Sequence, residues 1–417
     1  MSGQFFDITD YGAVGNGTTD NRANIQAAID DCSTSGGGSV YVPNGTYLIS
    51  SALTIPSKVS LFGNGEPSEI KPASGAAYAG SAVINTNGQD SSISNLKLSL
   101  NNSGEIGINI AGGTSKLRID KVYFSNGSQG IAFNNDPLMP VNDTIITDCK
   151  FDKSGYGVLL YATSKGKGLI IRGCYFFNGG YDYFESNRAD FTDIVIINNK
   201  FDTFTTTGAS DGFAIGIARG NGITITGNQF YGIQREAIHI ENSSKDIVVF
   251  NNKFDECGYS FSDISVNNKV INCISGSTNI NIYKNSFKNT GRRGTAIYMG
   301  ASGGINGSKY SVYNNVFAGF RAAIVNDEQK QCEYVRNEIS DCDKAFGGFK
   351  LFSQTYMSNI ITNCSFGFSY TGYNLYWSPT ETRNVYLDNK LVNVTTPFKT
   401  DENPGYMQRT FLWNQGM

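Results

Sequence analysis

The sequence predicts an all-β chain wound into a right-handed parallel β-helix of about ten coils, with a short capping α-helix at the N-terminal end. Three observations point there. Residues 193–202 read DIVIINNKFD and residues 246–255 read DIVVFNNKFD, with a looser copy, ITITGNQF, at 223–230. Further copies recur about every 24 to 30 residues, too short a period for a propeller blade of roughly 40. Inside each copy apolar and polar residues alternate, the period of a strand buried on one face, and helical periodicity is missing.

The elements follow in chain order. DITDYGAVGNGTTD (7–20) reads as a short strand and a glycine-rich loop ending in Asp20, a good helix N-cap. NRANIQAAIDDCST (21–34) then sets Ile25, Ala28, Ile29 and Cys32 on one stripe of a helix, and Ser35-Gly36-Gly37-Gly38 ends it. VYVPNGTYLI (40–49) gives strand, turn and strand. From there the copies take over, among them TIITDCKF (144–151), LIIRGCYF (169–176), INIYKNSF (280–287), YSVYNNVF (310–317) and EYVRNEIS (333–340). A second strand precedes each, as in GVLLYA (157–162), GFAIGIA (212–218), EAIHIE (236–241) and TAIYMG (295–300).

Such a unit cannot bury its inner face alone, whereas stacking turn on turn does so at about 4.8 Å per turn. The asparagine after each strand suits a corner, because its side chain tolerates the left-handed region and bonds nearby backbone. Stacked, these asparagines form a ladder. Cys149, Cys174, Cys273 and Cys364 fall at or near the same repeat position, so they read as small buried apolar residues rather than disulfide or metal partners. The chain divides into a strand–helix cap (1–50), coils (51–395) and a C-terminal tail (396–417) that folds back over the last coil or against a neighbour.

The stretch DYGAVGNGTTDNRANIQAAID…GGGSVYVPNGTYLI (10–49) resembles the opening of the pectate-lyase-like β-helix superfamily. That group holds bacterial and phage polysaccharide depolymerases, tailspikes, polygalacturonases and mannuronan epimerases. The resemblance implies the fold and, for the depolymerase type, a polysaccharide substrate and a homotrimer. It does not specify the reaction. The NTD, DD, GHG and RIK set of polygalacturonases and the DPHE cluster of mannuronan epimerases are not in this sequence, so those two subfamilies are not expected.

A net charge of −3 over 417 residues provides no electrostatic footprint for nucleic acid or anionic membrane. No apolar run approaches the roughly 18 residues of a bilayer span, and the N-terminus lacks a secretory signal pattern. The expected setting is extracellular or virion-associated, with no cofactor and no metal. Asn326, Asp327 and Glu328 form a weaker candidate for a cation.

Chemistry is expected where acids gather on one flank of the coils. Sugar hydrolysis needs two carboxyl groups, roughly 5 Å apart for retention and 6.5–9.5 Å for inversion. Three turns concentrate them: YDYFESNRAD (181–190), ASDGFAIGIARGN (209–221) and IQREAIHIENSSK (233–245). The candidates for acid, base or nucleophile are Asp182, Glu185, Asp211 and Glu241. Arg219, Arg235, Arg188 and His239, the only histidine, are candidates to orient substrate, and Tyr181, Tyr183 and Phe184 to stack on sugar rings. Alternation puts Ile238 and Ile240 inward and Ala237, His239 and Glu241 outward, with Gly216 and Ala218 outward on the turn before. An elimination lyase and a noncatalytic carbohydrate-binding adhesin are the rival readings.

Overall fold

Alternating Ile and Val make the strands and turn residues bend them, so the coil follows from short-range chemistry repeated many times. The computed structural model describes residues 4–73, 82–101, 104–134, 137–203, 212–258, 268–301, 306–349, 351, 353–371, 384–400 and 409–412. It is a right-handed parallel β-solenoid of about 13 turns. The chain divides into two compact units, residues 1–212 and 213–417, each built of parallel ladders.

In the first unit, Gln4–Asp7 pairs in parallel with Gly38–Tyr41, which pairs with Val59–Phe62 and so on to Asp190–Ile197. A separate ladder runs from Leu53–Ile55 through Ala82–Thr86, Ile106–Ile110, Gln129–Phe133 and Tyr156–Leu160 to Phe184–Asn187. The helix Arg22–Thr34 lies against the first strands, with Ile25, Ala28, Ile29 and Cys32 fully buried. Its N-cap is Asn21, not Asp20. Asn21 is spent pinning the loop before it through Val14, while the Asp20 carboxylate accepts from Arg22 N–H and Ser50 N–H, both at 3.0 Å.

The second unit repeats the plan with three ladders. One runs from Asn221–Thr226 to Arg409–Leu412, a second from Gln229–Tyr231 to Lys390–Val392. The third stacks Ile215–Ala218, Ile238–Glu241, Lys269–Cys273, Thr295–Gly300, Ala322–Asp327, Lys344–Phe349, Phe366–Thr371 and Thr396–Thr400. The coil number exceeds ten because strands at both chain ends join the ladders. Thr396–Thr400 and Arg409–Leu412 extend them in parallel instead of folding back.

The asparagine ladder is present in this unit. Asn228, Asn252, Asn285, Asn315, Asn337, Asn359 and Asn389 are buried, and from Asn228 to Asn359 each side-chain amide donates to the next Oδ1 at 2.9–3.1 Å. The left-handed position is the residue before each one. Asn251, Lys284, Asn314 and Arg336 have φ of 53–56°, which turns the chain so that the following asparagine points inward. Two residues on, Phe230, Phe254, Phe287 and Phe317 stack ring on ring at 4.6–4.8 Å between centroids. In the first unit Phe124, Phe151, Phe176 and Phe201 do the same at 4.5–4.9 Å, and Cys149 and Cys174 occupy the asparagine rung. All eight cysteines are buried free thiols.

Candidate functional site

On the third ladder of the second unit, Ile215, Ile217, Ile238 and Ile240 point into the core, so the residues between them face outward. Register sets Gly216 beside His239 and Ala218 beside Glu241, and on the following turn Asn272 beside His239. The small residues leave the space that the imidazole and carboxylate fill. Ala237, expected outward, is fully buried: the strand starts at Ile238, and Ala237 sits in the preceding corner, where its carbonyl accepts from Ile215 N–H at 2.9 Å.

The His239 ring is fixed on three sides. Phe213 stacks on it at 4.2 Å with 6° between planes, and the Arg235 guanidinium lies 5.3 Å from the Phe213 centroid. The Asn272 amide nitrogen stands 3.4 Å from Nδ1, and Glu241 Oε2 stands 3.5 Å from Nε2. With the asparagine donating, Nδ1 accepts and the ring proton sits on Nε2, toward Glu241. Asn242 donates to the other Glu241 oxygen at 2.8 Å.

The second carboxylate of this patch is Glu236. It is 7% exposed; Oε1 accepts from the Asn272 amide at 3.3 Å, and Oε2 lies 3.7 Å from Arg235 Nε. The patch therefore reads Glu236, Asn272, His239, Glu241, with Arg235 on its flank. Glu236 Oε2 and Asn272 Oδ1 are buried without a hydrogen-bond partner among the described residues.

Sequence reasoning named Glu241, His239 and Arg235 and missed Glu236, Asn272 and Phe213. The signal was available in the repeat: aligning VINC beneath AIHI places Asn272 on the rung after His239. Arg219 ends its strand with φ of 59°, its side chain exposed and its amide donating to the Glu241 carbonyl at 3.3 Å. Asp211 lies outside the described residues.

Asp182, Glu185 and Arg188 belong to the first unit. Glu185 pairs with Leu159 in register, outward between inward Phe184 and Ser186. Tyr181, 49% exposed, stacks on Tyr156 at 5.3 Å next to Asp182. Burial and then the charges of Asp182 and Glu185 raise the Tyr156 hydroxyl above its ordinary range. Arg188 is exposed at a left-handed corner, φ 57°. Tyr183 and Phe184 do not offer faces to a sugar: each is 1% exposed, and Tyr183 Oη donates to the Asp202 carbonyl at 2.7 Å. Asn326 likewise turns inward, donating to Tyr334 Oη at 2.7 Å and Gln354 Oε1 at 2.9 Å, so it is no cation ligand beside Asp327.

A parallel β-helix with polar groups gathered on one outward ladder defines the class, and the sequence comparison agrees. The chain belongs to the rhamnogalacturonase A/epimerase, pectate lyase-like family, whose profile matches residues 5–262. It is similar to mannuronan C5-epimerase AlgE3 of Azotobacter vinelandii, 46% identical over 67 residues, 14% of this chain and 4% of that protein. It is also similar to plasmin and fibronectin-binding protein A of Streptococcus pneumoniae, 32% identical over 157 residues, 30% of this chain and 21% of that one. The matched stretches span only 4–10% of the length of the mannuronan C5-epimerases. Among solved structures, pre-mature gene product 12 of bacteriophage phi29 superposes with a TM-score of 0.70 at 14% identity, covering 93% of this chain and 56% of that one.

Proposed function

We propose that this protein is a polysaccharide depolymerase that hydrolyses glycosidic bonds of a bacterial surface or extracellular polymer laid along the outward face of the third ladder. The observation that carries this reading is the gathering of two carboxylates, Glu236 and Glu241, around Asn272 and His239. One carboxyl group protonates the departing glycosidic oxygen while the other takes a proton from the water that attacks the anomeric carbon. His239 holds Glu241 in place, and Arg235 keeps Glu236 company as a counter-charge. Asp182 and Glu185, beside the Tyr156–Tyr181 stack, serve as a second acidic patch for sugar binding. The fold class also carries the expectation of a homotrimer working outside the cell or on a virion. Relatives named as mannuronan C5-epimerases and an alginate lyase support a carbohydrate role.

Elimination is the second reading, favoured by the ordered His239 ring with Arg235 nearby, a base beside a cation for a uronate carboxylate. Degrading a panel of purified polysaccharides in ¹⁸O-water separates the two. Hydrolysis places the label at the new reducing end. Elimination leaves an unsaturated, unlabelled end, and no fragments from any polymer would remove both readings in favour of an adhesin.

A further inference from the structure

The repeat that buries cysteines as small residues also sets them on successive turns in two places. Cys149 and Cys174 are neighbours in the first unit, and Cys342 and Cys364 in the second. Register fixes both pairs: Tyr175 N–H donates to the Cys149 carbonyl at 2.9 Å, and Ser365 N–H to the Cys342 carbonyl at 3.2 Å. In-register neighbours of a parallel ladder stand about 4.8 Å apart, inside the roughly 4.4–6.8 Å between Cα atoms that a disulfide spans.

The two pairs differ in their surroundings. Burial, then the bond to Cys174, push the Cys149 thiol well above its ordinary range, and the Asp120 charge adds to this. The second pair lies under a cation. Arg292, at a left-handed corner with φ of 55°, reaches along the coils to the corner that holds Cys342 and Cys364. Its Nη1 donates to Asp343 Oδ1 at 3.2 Å and Ser365 Oγ at 3.4 Å, and its Nη2 to the Asn363 carbonyl at 3.3 Å. Asp343 follows Cys342, while Asn363 and Ser365 flank Cys364. The bond from Cys342 holds the Cys364 thiol below its ordinary range; the Arg292 charge helps, and burial and Asp341 oppose. The same bond, with burial, raises Cys342. A thiol held low beside one held high is the arrangement of an attacking and a resolving cysteine.

We propose that Cys342 and Cys364 are an oxidisable dithiol that a hydroperoxide closes into a disulfide stapling two turns, while Cys149 and Cys174 serve packing alone. With hydrogen peroxide, the Cys364 thiolate attacks one oxygen, the O–O bond breaks, and a sulfenic acid and hydroxide form. The Cys342 sulfur then attacks the Cys364 sulfur, and the S–O bond breaks as water leaves with the Cys342 proton. The two sulfurs give up one electron pair in all, and the peroxide takes it. Cys364 is 2% exposed, so the oxidant must be about as small as water. The inference is independent of what the outward ladder binds.

The test treats the folded full chain with dilute hydrogen peroxide at neutral pH, then alkylates it in denaturant and maps the peptides by mass spectrometry. Cys342 is expected linked to Cys364, with Cys149 and Cys174 recovered as alkylated thiols. Cys342→Ser keeps a small polar side chain at the corner and should leave Cys364 as a sulfenic acid that dimedone captures. Arg292→Gln should lower the oxidation rate about tenfold at neutral pH and move the midpoint of its pH profile upward. A corner merely loosened by that substitution would react faster with the midpoint unmoved. No Cys342–Cys364 link in the folded chain, a Cys149–Cys174 link formed as fast, no dimedone adduct in Cys342→Ser, or an unmoved midpoint in Arg292→Gln overturns the proposal.

Discussion

His239 shows how one side chain takes its role from its rungs. Gly216 on the turn before has no side chain to crowd its ring, Asn272 on the turn after holds Nδ1, and Phe213 presses on its face. As a positioning residue for Glu241, it has a distinct kinetic signature. His239→Asn should lower kcat while leaving KM within about threefold and the melting temperature unchanged, whereas a merely structural loss would lower the melting temperature together with both constants. Asp20 makes a second residue-scale prediction. Its carboxyl is held below the ordinary range, first by the Ser50 side chain and also by the Arg22 and Ser50 amides against some desolvation. A depressed carboxylate stabilises the fold above its unfolded pKa and loses that contribution as pH falls through the folded one. Asp20→Ala should therefore melt earlier than wild type at neutral pH, with the gap closing in acid. Thermal unfolding across pH reads this directly.

The ladders are the unit of stability. Asn285 donates to Val249 O and Asn315 Oδ1 and accepts from both nitrogens of Asn252, all in the dry core. Removing one rung strands donors and acceptors on both neighbours, so Asn285→Ala should cost about 2–4 kcal/mol, more than a solvated bond of the same kind. Phe287→Ala, which opens a gap in the ring stack, should cost about 3–5 kcal/mol. Urea denaturation of both variants tests these values, and a loss under about 1 kcal/mol would contradict a rung-by-rung core. These elements were legible because copying is the signal: DIVVFNNKFD states strand, left-handed corner, ladder asparagine and buried ring in ten letters. The placing of the left-handed residue was not, since both letters of NN suit it; backbone geometry assigns it to the first. Tyr183 misled because its copy departs from the pattern. Its ring fills core space beside Phe176 and Phe201, a packing event that no local letter announces.

At the scale of the molecule, each unit carries a pair of acids in or just before one short strand: Asp182 and Glu185 at Phe184–Asn187 in the first, Glu236 and Glu241 at Ile238–Glu241 in the second. The sequence names the acids of these turns but not which converge, because convergence depends on side chains from other rungs, Asn272 above all. A homotrimer predicts a solution mass three times the 45.2 kDa chain by light scattering. The most direct measurement is the initial rate of reducing-end release from a polysaccharide that the wild type degrades, compared with Glu236→Gln and Glu241→Gln at matched folding by circular dichroism. Each variant is expected to fall at least about a hundredfold in kcat. Wild-type rates from both would contradict a catalytic centre around His239.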